Sequence, residues 1–177
     1  MKKIITILSC FVGMSGNGQV IHSISVGPVF GVGANFGKSS NLSVGGSIEY
    51  IARFSSAVGI RLSGGYNRFN GKYFDDYVSF LAGRAGLHVF VYQDLLFVFA
   101  EAGIATYKSS NPDPALTRFS WAAGAGYYLY LGEKKHSLQM SAFFNYFRHN
   151  PNLTYTWIDI RAAYCFSWGD KKKQKNQ

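Results

Sequence analysis

Charge is scarce in this chain. Asp, Glu, Lys and Arg make up 15% of its 177 residues, against about 25% in an average soluble domain. No run of about 18 apolar residues occurs, which excludes a membrane-spanning helix. Two cysteines are too few for a disulfide scaffold. Disorder is excluded by an apolar fraction of 47%, which leaves ample surface to bury. Aromatics, by contrast, are plentiful at 17%, and there are 20 glycines. Many aromatics, many glycines and few charges suit a sheet that faces lipid on one side and itself on the other.

The formal charge of +9 is concentrated at the two ends. Lys2 and Lys3 open the chain, and four lysines with one aspartate lie in Gly169 to Gln177. The body between them has twelve basic and eight acidic residues, a net charge of +4. Its cations are scattered, with no basic helix and no aromatic-interleaved basic patch, so a nucleic-acid partner is not expected.

Residues 1–18 have the pattern of a secretory signal peptide. Two lysines precede an apolar stretch from Ile4 to Met14, and Gly16-Asn17-Gly18 supplies a small-x-small cleavage site. A lipoprotein signal ending at Cys10 would leave only six residues after the lysines, a very short core. Cleavage after Gly18 leaves Gln19 as the N-terminus and Cys165 as the one cysteine, so no internal disulfide is expected.

From residue 19 onward the pattern has period two, broken by turn signals. Ser23–Phe36 alternates Ile24, Val26, Phe30 and Val32 with Ser25, Gly27, Gly31 and Gly33. The same alternation runs through Leu42–Phe54, Val58–Tyr66, Tyr77–Val91, Leu96–Thr106, Phe119–Leu131, Leu138–Tyr146 and Thr156–Trp168. Each segment is long enough to cross a bilayer, which takes about 9–11 tilted residues. Within these bounds no charge falls on an apolar face. The expected fold is all-β: an eight-stranded antiparallel up-and-down transmembrane β-barrel over residues 19–168, followed by a basic periplasmic tail over 169–177.

Connection lengths fit that fold. Short links at Ser55-Ser56, Tyr92 to Asp94 and Gly132 to Lys135 suit periplasmic turns, and longer ones at Asn67–Asp76 and Lys108–Arg118 suit external loops. Phe147–Leu153 is intermediate, and Gly37–Asn41 is the short exception. Aromatics gather at strand ends, where interfacial girdles belong. Pro28 stands mid-strand and predicts a bulge or kink.

The inner face is expected to carry mostly Gly, Ser and Ala with a few charges: Glu49, Arg53, Arg61, Arg84, His88, Glu101, Asp159 and Arg161. Six of these fall at similar heights: Glu49, Arg61, Arg84, Glu101, Asp159 and Arg161. Buried charges must be paired, so a mid-barrel ion-pair network that plugs the lumen is expected; a gated ion path is the alternative reading. In the external loops, Arg68, Lys72, Tyr73, Phe74, Asp75 and Asp76 are contact candidates.

A cleaved leader, eight alternating strands, short inner and longer outer connections and a charged lumen together resemble the small outer-membrane barrels of the OmpA transmembrane-domain and OmpX kind. That resemblance implies an integral protein of the bacterial outer membrane with both termini in the periplasm. It implies lipid or lipopolysaccharide as surroundings and the barrel-assembly machinery as a partner in biogenesis. Tyr164, Phe166 and Trp168 resemble the C-terminal assembly signal, although the chain continues past it. A non-enzymatic structural or surface-interaction role follows, without cofactor or metal. A small pore is the alternative. A lipid A-modifying enzyme is less favoured: it needs a Ser–His pair near the outer leaflet, and Ser79 and His149 are on strands that should not adjoin.

Overall fold

The computed structural model describes residues 20–34, 42–70, 77–92, 94–110, 114–132 and 135–169. The leader, the tail beyond residue 169, and Lys72, Tyr73, Phe74, Asp75 and Asp76 lie outside the described residues.

Eight strands follow in chain order: β1 (Ile21–Ala34), β2 (Leu42–Arg53), β3 (Val58–Asn70), β4 (Tyr77–Tyr92), β5 (Leu96–Ser109), β6 (Leu116–Tyr130), β7 (His136–Asn150) and β8 (Leu153–Trp168). Every neighbouring pair is antiparallel, and β8 returns to pair with β1, closing the barrel. Closure leaves no strand edge with unpaired N–H and C=O groups.

The alternation dictates which face is which. On β1, Ile24, Val26, Phe30 and Val32 point outward and are 40–59% exposed. Glu49, Arg61, Arg161 and His88 point inward and are at most 2% exposed. Large apolar side chains outside and charges inside invert the soluble pattern, and hydrocarbon is the medium that rewards the inversion. A soluble lipocalin-like barrel would show the opposite.

Three expectations are corrected. The strands run further at the end away from the start of β1 and the end of β8: β3 continues to Asn70, β5 to Ser109 and β7 to Asn150. The link between β7 and β8 is therefore a tight turn at Pro151-Asn152, and Arg68 is on a strand, not in a loop. Second, Pro28 makes no bulge. Val26↔Tyr164 and Val29↔Arg161 keep one register, with the ladder to β8 merely interrupted at Gly27 and Pro28. Pro28 still pairs with Gly46 on β2. The missing N–H thus costs ladder contacts on one side without adding a residue. Register shifts occur elsewhere, between Phe90 and Tyr92 and between Arg148 and Asn150.

Third, the inner face is not mostly small. Phe97, Phe99, Tyr128 and Phe143 form one buried cluster with Val29, Ala122 and Cys165. Phe69, Phe80, Phe147, Tyr155 and Trp157 form a second with Ala105. Along β5 the order is Phe97, Phe99, Glu101, Ala105, so the polar zone lies between the two clusters. The rings pack edge-on and offset, as with Phe80–Phe147 at 5.3 Å and Phe80–Trp157 at 4.6 Å, the geometries that ring quadrupoles favour.

Candidate functional site

Parity places at least one polar group from every strand in the middle of the barrel. Arg61 on β3 is the hub. Its Nε donates to Glu101 Oε2 at 2.9 Å, and its Nη2 donates to Glu49 Oε1. Its guanidinium lies 3.7 Å over the Phe99 ring. Arg161 on β8 pairs with Glu49 from the other side, and its Nη2 donates to Ser25 Oγ on β1 at 2.9 Å. Gln139 Nε2 on β7 donates to Glu49 Oε2 at 3.0 Å. Arg84 on β4 stands 3.6 Å from Glu101 and donates to Ser120 on β6 at 2.8 and 3.0 Å and to Asn145 Oδ1 on β7 at 2.9 Å.

Asp159 is held differently. Its Oδ2 accepts from Asn67 Nδ2 at 2.7 Å, Asn145 Nδ2 at 2.9 Å and Trp157 Nε1 at 2.9 Å. These are neutral donors, so it does not pair directly with Arg161 two residues on. Gly31 makes room for it: a Cβ there would meet Asp159 Oδ1 at 2.2 Å and Ser43 Oγ at 2.4 Å. A cavity of about 40 Å³ adjoins the layer, bordered by Ser47, Arg61 and Asp159. Each of these offers a buried polar atom with no protein partner. At ~10–15 Å³ per water centre, about three waters fit there.

Two of the eight charged candidates lie apart from this layer. Arg53 is at the end of the barrel where β1 begins, opposite Ile21. It pairs with Asp94 at 2.5 Å and covers the Phe90 ring at 4.1 Å. His88 stacks on Phe97 at 4.5 Å and meets the Tyr128 hydroxyl at 3.5 Å. The layer's neutral members, Asn67, Asn145, Gln139, Ser120 and Ser25, all occupy inward parity positions. Inward parity was the signal that could have found them.

Tyr164, Phe166 and Trp168 face outward near the end of β8, 38–48% exposed. Trp168 stacks on His22 at 5.6 Å and on Phe166 at 5.9 Å. Ser79 and His149 do not form a catalytic pair. Ser79 Oγ donates to the Lys108 carbonyl at 3.4 Å, while His149 packs inside against Tyr107 at 4.9 Å and Tyr155 at 5.8 Å.

A closed eight-stranded barrel with an apolar outer belt and a charged lumen has the fold of the small outer-membrane barrels. Comparison with solved structures agrees. Ail, the attachment invasion locus protein of Yersinia pestis, superposes with a TM-score of 0.60 at 16% identity, covering 82% of this chain and 98% of that one. Neisserial surface protein A gives 0.57 at 13% identity, covering 82% and 96%. Ail in complex with the heparin analogue sucrose octasulfate gives 0.55 at 15% identity, covering 84% and 99%. At these identities the likeness is one of fold. No protein-family model matches the chain, and no curated protein matches it.

Proposed function

We propose that this is a non-enzymatic integral protein of the bacterial outer membrane. In this reading its leader is cleaved and both termini are periplasmic. The lumen is closed by the ion-pair layer, and the opposite end of the barrel is a contact surface. One observation carries the reading: all eight strands contribute a side chain to a single hydrogen-bonded layer. Three arginines there, Arg61, Arg84 and Arg161, balance three carboxylates, Glu49, Glu101 and Asp159. Aromatic clusters cover the layer on both sides. Such a core is a plug of paired charges, in which single buried polar atoms of Arg61, Gln139 and Asp159 lack a protein partner.

Contact then falls to the rim opposite the start of β1, where Arg68 lies; Lys72, Tyr73, Phe74, Asp75 and Asp76 are contact candidates from the sequence alone. The role of Tyr164, Phe166 and Trp168 as an assembly signal belongs to the same proposal, as does a solvated basic tail over 169–177.

Labelling of intact cells tests the orientation. Cys165 is buried, so an introduced thiol would report alone. Asn152→Cys, in the β7–β8 turn, should react with a membrane-impermeant maleimide. Ser56→Cys, in the β2–β3 turn, should react only after lysis. The reverse pattern would invert the topology. Lipid A mass spectra that change on deleting the gene would overturn the non-enzymatic reading.

A further inference from the structure

A second cavity lies inside the wall at the end of the barrel where β1 begins. It holds about 50 Å³ and is bordered by Ser23, Arg53, Asp94, Tyr128, Ser137 and Ser167. At ~10–15 Å³ per water centre, about four waters fit. One wall is hydroxylic: Ser23 Oγ on β1 and Ser167 Oγ on β8 are 2.8 Å apart, and Ser137 stands on the adjoining β7. Two residues further in from Ser137 is Gln139, and two further in from Phe90 on β4 is His88. Gln139 Oε1 and His88 Nδ1 are buried without a protein partner. Such atoms call for water, and the cavity begins one inward position away from each.

Over the cavity lies an ion pair between two turns. Arg53, at the end of β2, donates through Nη2 to Asp94 Oδ1 at 2.5 Å. Its bonds to Ser55 O, at 2.9 Å from Nε, and to Ser56 O stay within the β2–β3 turn. Asp94 is in the β4–β5 turn, where its carbonyl accepts from Tyr130 Oη at 3.1 Å. The pair thus ties one turn to the other by side chains. Those side chains are 11% and 20% exposed, so the tie stands at the mouth, within reach of solvent. Beneath it, Cys165 is 2% exposed, opposite Ser137 and Ser25 on the flanking strands. Its Sγ is 4.0 Å from Ser167 Oγ.

We propose that the Arg53–Asp94 pair is a lid on this cavity. Closed, it shuts the lumen at the end where β1 begins, separately from the charge layer. Open, it admits water and small polar solutes as far as Cys165, short of that layer. The lid therefore stands or falls independently of whether the layer itself conducts.

Cys165 reports the opening. The test is the rate at which 2-hydroxyethyl methanethiosulfonate, small, polar and uncharged, forms a mixed disulfide with Cys165 and releases methanesulfinate. Intact mass follows it on the refolded mature chain, with the heat shift of every form verified. A part-exposed ion pair shifts an open–closed equilibrium about fivefold, so Asp94→Asn should raise the rate about fivefold. Asn also accepts the left-handed backbone that Asp94 adopts at φ 64°. Arg53→Gln should raise the rate likewise, and Asp94→Glu should stay as slow as the unaltered chain. Raising salt from 10 mM to 1 M, which shortens the screening length from about 30 to about 3 Å, should speed the unaltered chain with no variant needed. Glu101→Gln, in the charge layer, should leave the rate unchanged. Rates in Asp94→Asn and Arg53→Gln equal to that of the unaltered chain would overturn the proposal. So would an equal rise in Glu101→Gln, which would mean general loosening, or a rate in the unaltered chain that salt does not move.

Discussion

Arg61→Met removes the hub of the charge layer and nearly preserves volume. Arg61 is 1% exposed and touches two carboxylates and one ring. Breaking a buried pair by removing one partner costs about 3–5 kcal/mol, because the other charge is left uncompensated. Glu49 keeps Arg161 and Glu101 keeps Arg84 at 3.6 Å, so the lower end applies, about 3 kcal/mol. At ~1.4 kcal/mol per tenfold, that is about two orders of magnitude in the folding equilibrium. Guanidinium unfolding of the refolded barrel, followed by the heat-modifiable gel band and tryptophan fluorescence, would read it. Glu101→Gln in the Arg61→Met background removes one of the two carboxylates that lose Arg61. The double variant should then lose at least ~1 kcal/mol less than the sum of the singles. A cost below about 1 kcal/mol for Arg61→Met, or strict additivity, would refute the claim that the layer acts as one electrostatic unit.

Three further outcomes follow from the same packing. Gly31→Val drives a side chain into Asp159 and Ser43, for a cost of about 1–3 kcal/mol or more. Gly64→Val, whose new Cβ would first meet Ile48 at 3.5 Å, should be near neutral in the same unfolding assay. Phe80→Ala empties the centre of the second aromatic cluster and should cost about 3–5 kcal/mol, whereas Phe30→Ala, outward and 56% exposed, should cost far less in micelles. Trp168→Ala should lower the amount of folded barrel in cells while leaving refolding in detergent intact, as seen by comparing membrane-fraction blots with refolding yields.

Much of the fold was legible because a strand's period of two is unforgiving. Ile24, Val26, Phe30 and Val32 can share only one face, and that face repeats eight times. The strand ends were less legible. Arg68, Lys108 and Arg148 look like loop residues, because cations are unexpected on a lipid-facing wall; the wall extends past the apolar belt to carry them. The inner aromatics were missed for a related reason. On β5, Phe97 and Phe99 alternate with Leu96 and Val98, so both faces are apolar and hydropathy alone assigns neither. At the candidate site the charged members were visible as isolated ions at inward positions. Two neighbouring-strand pairs, Glu49 with Arg61 and Arg84 with Glu101, are readable from position alone; the contacts across the lumen are not, since they depend on shear around a closed barrel. Arg61 reaches Glu101 two strands away, and Asp159 settles among amides across the lumen.

The central claim is that side chains close the lumen. Single-channel recording of the mature chain, refolded and inserted into a planar bilayer after its heat shift is verified, tests it most directly. The account predicts a flat current trace across the voltage range at any protein load. Discrete, reproducible openings from the unaltered chain, with amplitudes changed by Arg84→Ala or Glu101→Ala, would contradict it and make the charge layer a gate.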